Sequence, residues 1–575
     1  MLQKRAGRRS QPMGTEVAWI AVGAALSLLV GVLLLWWGAS VASGQVRDAV
    51  TDRDLITILV GQFSGDIPVP GLTLVLFVLG LIVLLVLLVG VVLAVVRSQG
   101  GQTRVDGLAK SMARPKDLER LSPQAVEKDS EKLGALSAGP GVPLGRLVNN
   151  KSVLRASWEW VQIWIMGPRA GKTSCVCVPQ ILETKGPVVA TSNKRDIVDL
   201  TRGPRSENGV VWVHDVQDII GEEPSWWWNP LTFVEDMETA EKLADIFITS
   251  ATSAGQKQDS YFESDGKRLL SYLLLAASVA DRPITDVFAW GNNEDDKTPA
   301  NCLFSAGLGE HSHALSKIQN LTPRQRDGVY GTMRPWISVL GNEKVIPWIR
   351  DTGVIGRSEF DHRQFHAGTD TLYLISREGG GSARAITGAL AMAVLTAAEK
   401  RAGRQKGGRL SPPLMAVLDE AANVVRWREL PDLYSHYGSR GIVVSTFFQS
   451  FTQGVEAFGK EGMKKLWSSA NVRVAGAGLS EDEFLPFVSN LVGERDVVKR
   501  TSSQQRGGQQ LSTSVQREKI LDQADVAALP TGRAVLSSSG QPAALMALEH
   551  HSQKPYAAKV QQSQQFYESQ LGESS

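Results

Sequence analysis

The sequence predicts an α/β protein: a largely parallel sheet with an all-helical domain inserted into it, behind two apolar segments of membrane-spanning length. Three observations point there. From residue 158 onward, short β-rich apolar runs alternate with helical stretches, the pattern of a parallel sheet. Between about 225 and 360 those runs vanish and apolar residues recur at helical spacing, as in 238–249 and 261–277. Residues 17–46 and 72–96 carry no charged side chain.

Composition sets the bounds. A chain of 575 residues exceeds one ordinary core. Its 43% apolar and 21% charged residues are those of a globular protein. A net charge of +2 excludes a global basic field, so any nucleic-acid contact needs a local basic surface. Cys175, Cys177 and Cys302 form no C-x-x-C pair and read as small buried apolar residues in a reducing compartment.

Taken in order, residues 1–15 hold Lys4, Arg5, Arg8 and Arg9 and no acid. The apolar core 17–42 is long enough to span a bilayer, and Trp36 and Trp37 suit its interface. A short loop, 47–66, leads to the second span, 72–96, after which come Arg97, Arg104, Lys110, Arg114 and Lys116. Basic residues before the first span and after the second predict a hairpin with both termini in the cytoplasm. Residues 1–100 are thus a multi-pass anchor in the inner, cytoplasmic membrane. Residues 101–150 form a juxtamembrane connector that contributes an early strand or two.

Strands are predicted at 161–166, 187–192, 210–215, 371–376, 414–419, 442–448, 472–476 and 534–537; several are nearly all apolar, as in strands buried on both faces. The first part of the sheet domain is 151–224, the helical insertion 225–360, and the second part 361–556. Trp226-Trp227-Trp228-Asn229-Pro230 marks the entrance to the insertion, and packing at a junction is preferred over base stacking. The Gln- and Ser-rich stretch 502–515 reads as a mobile loop or linker, and the polar stretch 557–575 as a disordered tail.

The stretch 161–178, VQIWIMGPRAGKTSCVCV, carries the chemistry. An apolar strand stops at Gly167-Pro168, Arg169-Ala170 follow, and Gly171-Lys172-Thr173-Ser174 opens a helix. This is the layout of a phosphate-binding P-loop. Gly171 lets the backbone approach a phosphate, and the free N–H groups of the helix start face the anion. Lys172 supplies a charge for the outer phosphates, and the Thr173 hydroxyl can ligate Mg²⁺. The motif departs from G-x-x-x-x-G-K-[ST] in one respect: its first glycine falls at Gly167, with Met166 at the consensus place.

A P-loop needs a second element. In 413–423, PLMAVLDEAAN, a buried strand ends in Asp419-Glu420. Acids at the carboxyl end of a strand lie where open α/β sheets bind ligands. Asp419 would hold Mg²⁺ and Glu420 would act as general base toward the attacking water. The next strand ends at Gln449, where an amide can contact the γ-phosphate or its water. Arg440, Arg384 and Arg473 are candidates for an arginine finger acting on a neighbouring subunit. In 191–196, TSNKRD, Lys194 or Asp196 lines the nucleotide cleft or braces it; both readings stay open. His362 and His366 are four apart without the Glu of a zinc helix, and His311 and His313 fall in a polar loop; all four read as solvated.

Together, the two-span hairpin, GPRAGKTS, the helical insertion, LMAVLDEAAN, LPDLYSHYGSRGI and STFFQSFTQ resemble the coupling proteins of conjugative type IV secretion systems. These are membrane-anchored hexameric ATPases related to the FtsK and HerA DNA-translocating motors. The resemblance runs from about residue 1 to 556, and the second half is similar to the family's segment for recognising relaxosome components. It implies a RecA-like P-loop NTPase domain and a Mg-dependent, DNA-translocating ATPase with ATP and Mg²⁺ as cofactors. The implied partners are relaxase-bound single-stranded DNA, relaxase and relaxosome proteins, secretion-channel components, the membrane and five further copies of the chain. The family's phosphate-binding lysine and Mg-binding hydroxyl map to Lys172 and Thr173, its acid pair to Asp419 and Glu420, and its glutamine to Gln449. Its Gly-Arg before the glutamine strand is displaced here to Gly438-Ser439-Arg440-Gly441. Two alternatives stand beside this reading: an FtsK-type pump for double-stranded DNA, and a substrate receptor for protein secretion with little motor activity.

Overall fold

The computed structural model describes residues 30–43, 55–69, 71–99, 103–251, 260–377, 384–424, 427–505 and 508–573. The chain divides into two compact units, Met1–Gln102 and Thr103–Ser575.

In the first unit, a helical segment over 30–42 packs with the helices Leu55–Ser64 and Gly71–Gln99. The Trp36 indole N–H donates to Gln62 Oε1 (2.8 Å), and its ring meets Phe77 edge-on at 4.8 Å. The short loop predicted at 47–66 therefore contains a helix. Its apolar residues Ile56, Val60 and Phe63 recur at helical spacing and lie exposed. Residues 17–29 of the first predicted span lie outside the described residues. The second falls in the 29-residue helix Gly71–Gln99, whose described side chains reach Val86. Among the described residues, no helix is long and apolar enough to cross a membrane.

The second unit is built on strands β1 (Val142–Leu147), β2 (Val153–Ala156), β3 (Gln162–Ile165), β4 (Val188–Ser192), β5 (Val211–His214), β6 (Trp226–Trp227), β7 (Ser358–Glu359), β8 (Thr371–Ile375), β9 (Leu414–Leu418), β10 (Ile442–Phe448), β11 (Val472–Gly476), β12 (Glu494–Gln505), β13 (Gly508–Lys519), β14 (Arg533–Ser538) and β15 (Ala544–Ala547). Among the described residues, eleven of them form one sheet in the order β2-β1-β15-β14-β11-β3-β10-β9-β4-β8-β5. From β11 to β5 all neighbours run parallel. The remaining strands at the β2 end are antiparallel. Every residue of β3, β4, β8, β9 and β10 is buried, which is why these strands read as unbroken apolar runs.

The insertion leaves the sheet after β5 and returns before β8. Its helices include Met237–Ala251, Ser260–Val279 and Pro323–Ile337. It is not wholly helical: β6 and β7 pair in parallel and tie its two ends together. Trp226 and Trp228 are buried at this neck; Trp226 packs on Trp212, Trp348 and Phe360. These tryptophans serve packing, as the sequence suggests.

Two stretches differ from expectation. Residues 502–505 and 508–515 are no linker but lie in β12 and β13, which pair from Glu494↔Lys519 to Gln505↔Gly508. The polar tail, 557–575, contains the helix Ala557–Glu573. It lies on the helix Asp196–Ser206, burying Val560 with Val178 and Leu200. Ser563 Oγ donates to Asp199 O (2.5 Å) and accepts from Gly203 N (3.1 Å), and the Arg202 guanidinium sits 3.1 Å over the Tyr567 ring.

Candidate nucleotide site

The loop after β3 is positioned by its neighbours. Met166 N donates to Phe448 O (3.0 Å) and Gly167 N to Ala477 O (2.9 Å), tying the loop to β10 and to the segment after β11. A Cβ on Gly167 would lie 2.2 Å from Gly478 O. Gly167 is therefore a packing glycine, and its position follows the approach of the β11 loop. Met166 is buried, with its Cγ where a Cβ on Gly476 would be, at 2.5 Å. Gly171 has φ +86°, the conformation that turns the loop back toward the helix start. That helix opens with a five-residue π-turn, Thr173–Cys177, and continues as α-helix over Val178–Glu183. Burial pushes the Cys177 thiol well above its ordinary range, in keeping with a packing role.

β9 delivers Asp419 and Glu420 opposite this loop. Thr191 Oγ1 on β4 donates to Asp419 O (2.7 Å) and anchors the strand end. Glu420 has φ +54°, left-handed for a non-glycine residue. Such a conformation costs about 1–3 kcal/mol and persists only where its surroundings hold it. Lys172 Nζ supplies part of that hold, 2.5 Å from Glu420 Oε1 and 3.0 Å from Asp419 Oδ1. Thr173 Oγ1 donates to Asp419 Oδ2 (3.0 Å). Gln449 Nε2, at the tip of β10, donates to Glu420 Oε1 (2.8 Å).

Gln453 completes the cluster and was not singled out from the sequence. Its Nε2 donates to Glu420 Oε2 (3.2 Å), and its Oε1 accepts from Gln449 N (2.8 Å). The signal was present: Ser450-x-x-Gln453 has capping-box spacing, and Ser450 caps the helix Phe451–Ser469.

Burial opposes the charge on each of these groups. For Lys172 the two carboxylates outweigh it and hold the ammonium charged. For Glu420, Lys172 and the two amides outweigh it and keep the carboxyl below its ordinary range. For Asp419, fully enclosed, burial wins and the pKa is raised.

The cleft has a volume of about 510 Å³ and is lined by residues 167–174, by Ser192, Asn193, Lys194, Asp196 and Leu200, and by Asp419, Glu420 and Gln449. Lys194 and Asp196 thus both line it, whereas Arg195 turns to Asp199 and Tyr567 O. The candidate finger arginines are not brought here within one chain. Arg440 sits at the opposite end of β10, donating to Gly408 O (2.9 Å). Arg384 donates to Ser250 O, and Arg473 lies early in β11, opposite Ile163. His362 and His366 are not solvated as expected: each is 3% exposed. His311 and His313 lie in the helix Gly309–Gln319, not in a loop.

Residues 413–531, from β9 through the β12–β13 hairpin to just short of β14, match a family model described as the TraM recognition site of TraD and TraG. The resemblance to conjugative coupling proteins holds. The unbound monoclinic form of the bacterial conjugative coupling protein TrwBdeltaN70 shares the fold, with a TM-score of 0.52 and 16% identity over 73% of this chain and 91% of that one. The plasmid coupling protein TrwB in complex with the ATP analogue ADPNP aligns with a TM-score of 0.50 and 16% identity, over 68% of this chain and 85% of that one. No curated protein sequence matches the chain. The parallel sheet with its helical insertion thus shares the fold of these coupling-protein structures at low sequence identity.

Proposed function

We propose that this chain is a membrane-anchored coupling ATPase of a conjugative type IV secretion system. It would recruit relaxase-bound single-stranded DNA and drive it into the secretion channel. The observation that carries the reading is the convergence of Lys172, Thr173, Asp419, Glu420 and Gln449 at the carboxyl ends of three neighbouring strands. The match of 413–531 to a relaxosome-recognition segment supports the partner class.

The residues fit ATP and Mg²⁺. Gly171 lies at positive φ beside a cleft large enough for a nucleotide, and Thr173 and Asp419 offer hard oxygen donors. When bound, Mg²⁺ neutralises charge on the β- and γ-phosphates. Lys172, now shared by two carboxylates, would turn to the phosphate oxygens. Glu420, still held by the Gln449 and Gln453 amides, would then accept a proton from the attacking water. The Gln449 and Gln453 amides hold that carboxylate in place, and Gln449 links its position to the tip of β10.

The two-span anchor, the cytoplasmic placement of the body and the hexamer belong to the same proposal. The uncharged segments 17–46 and 72–96, with basic residues outside both, support the anchor. A finger arginine would come from a neighbouring copy.

The test is steady-state ATP hydrolysis by the full chain in lipid nanodiscs, without DNA, with single strands and with duplex, beside Lys172→Ala. Stimulation by single strands that vanishes in the variant is expected. Stimulation by duplex alone would replace the reading with a double-strand pump. A folded, assembled chain inactive under all conditions would overturn the motor and leave the protein-secretion receptor.

A further inference from the structure

A second cleft, of about 490 Å³, opens where the neck of the helical insertion meets the last turns of the helix Arg384–Arg404. That helix follows β8 and precedes β9, which run parallel to β4 on either side of it. Its last turn therefore lies toward the edge of the sheet where β9 begins, away from the edge that carries Lys172.

The wall of the cleft is cationic. Arg363, Lys400, Arg401 and Arg404 line it, against the single carboxylate of Glu235. Glu235 is engaged by Lys400 (2.9 Å) and Arg363 (3.7 Å). Arg401 and Arg404 make no ion pair among the described residues. Cations in the last turn of a helix complement its dipole, and that alone would account for these two. It does not account for His366. This side chain lines the same cleft and is 3% exposed, yet neither ring nitrogen has a hydrogen-bond partner. Buried polar groups are normally hydrogen-bonded, so a histidine with both nitrogens unpartnered at the wall of a cationic cleft points to a ligand. Neighbouring His362 differs, since its Nδ1 accepts from the Trp228 indole (3.3 Å).

We infer that this cleft is a second anion site, which takes a phosphate group carried by a nucleotide-sized ligand or by a nucleic-acid strand. Arg401 and Arg404 supply the charge and forked donors that suit phosphate oxygens. His366 lies in the floor, and a turn of its ring brings one of its covered N–H groups to the same anion. A cation is excluded by the surrounding charge, and the volume suits a phosphate with its attached sugar. The site adds to the nucleotide cleft and does not depend on it: the two share no lining residue.

The experiment uses the full chain with Lys172→Ala, which weakens phosphate binding at the P-loop. Pyrophosphate binding is measured by calorimetry, and binding of a fluorescent oligo-dT by anisotropy, before and after adding Arg401→Gln and Arg404→Gln. These partly exposed positions should not disturb folding. The expected result is pyrophosphate binding that survives Lys172→Ala and weakens at least about tenfold with the two arginine changes. A parallel loss of oligo-dT affinity assigns the phosphate to a strand; loss for pyrophosphate alone assigns it to a free nucleotide. With Lys172 intact, the two arginine changes should leave basal ATP hydrolysis, measured without DNA, unchanged. No pyrophosphate binding after Lys172→Ala, or binding indifferent to both arginines, overturns the inference.

Discussion

Glu420 occupies a left-handed backbone conformation and accepts from Lys172, Gln449 and Gln453, so its carboxylate is fixed from three sides. On the proposed function, that arrangement lets binding of a nucleotide be tested apart from its hydrolysis. Glu420→Gln keeps the shape and removes the base. ATP hydrolysis should fall by about 10²–10⁴-fold while binding of a fluorescent ATP analogue stays within a few-fold. A variant that still hydrolyses at near the parent rate would remove Glu420 from the reaction. Most of this cluster was legible in the sequence, because Asp419, Glu420 and Gln449 sit one or two residues past an apolar strand, and Lys172 and Thr173 close the glycine loop that follows another. Gln453 was not: its part depends on a helix folding back over Glu420, a contact between positions 33 apart. The burial of His366 was equally hidden, since its covering comes from the neck and from a helix distant in sequence.

Between elements, the tightest junction is the backbone contact of the P-loop with the segment after β11. Gly167 and Gly478 pack with no room for a side chain on Gly167. Gly167→Ala should cost about 1–3 kcal/mol, read as a lower midpoint in denaturant unfolding, because the obstacle is a carbonyl that cannot rotate away. An unchanged midpoint would mean that the two loops part freely. The parallel strands were readable because burial on both faces makes them uniformly apolar. The β12–β13 ribbon was not, for the opposite reason. Val498 and Val515 face each other across it, and both are exposed, so no alternation marks a buried face. The helix Ala557–Glu573 was hidden similarly: a narrow stripe around Val560 and Ser563 holds it, and the rest of its sequence is as polar as a disordered tail.

Across the whole body, three histidines are buried neutral. Burial lowers His214 to about 3, and His362 and His366 to about 4. Asp361, Glu235, Arg363, Lys400 and Arg401 surround the last two without reversing the direction. With folded pKa values below the ordinary 6.5 or so, the unfolded chain takes up protons first. Stability is therefore complete above about pH 6.5 and falls as pH drops toward 4, by up to about 1.4 kcal/mol per pH unit for each histidine. The thermal midpoint of the full chain, followed by tryptophan fluorescence, should fall between pH 7 and pH 5. His214→Gln and His362→Gln should flatten that fall, and a slope untouched by both changes would refute the assignment.

The sheet also joins the beginning of the second unit to its end. β1 pairs with β15, and Arg146 is bonded to Glu549, 403 residues later. During synthesis at about 5–20 residues per second, that partner arrives on the order of 20–80 s after β1 has left the ribosome. For that time one side of β1 offers unpaired backbone groups, while the nucleotide-binding strands are still being made. A message cut short before β15 leaves β1 with an open, aggregation-prone sheet margin.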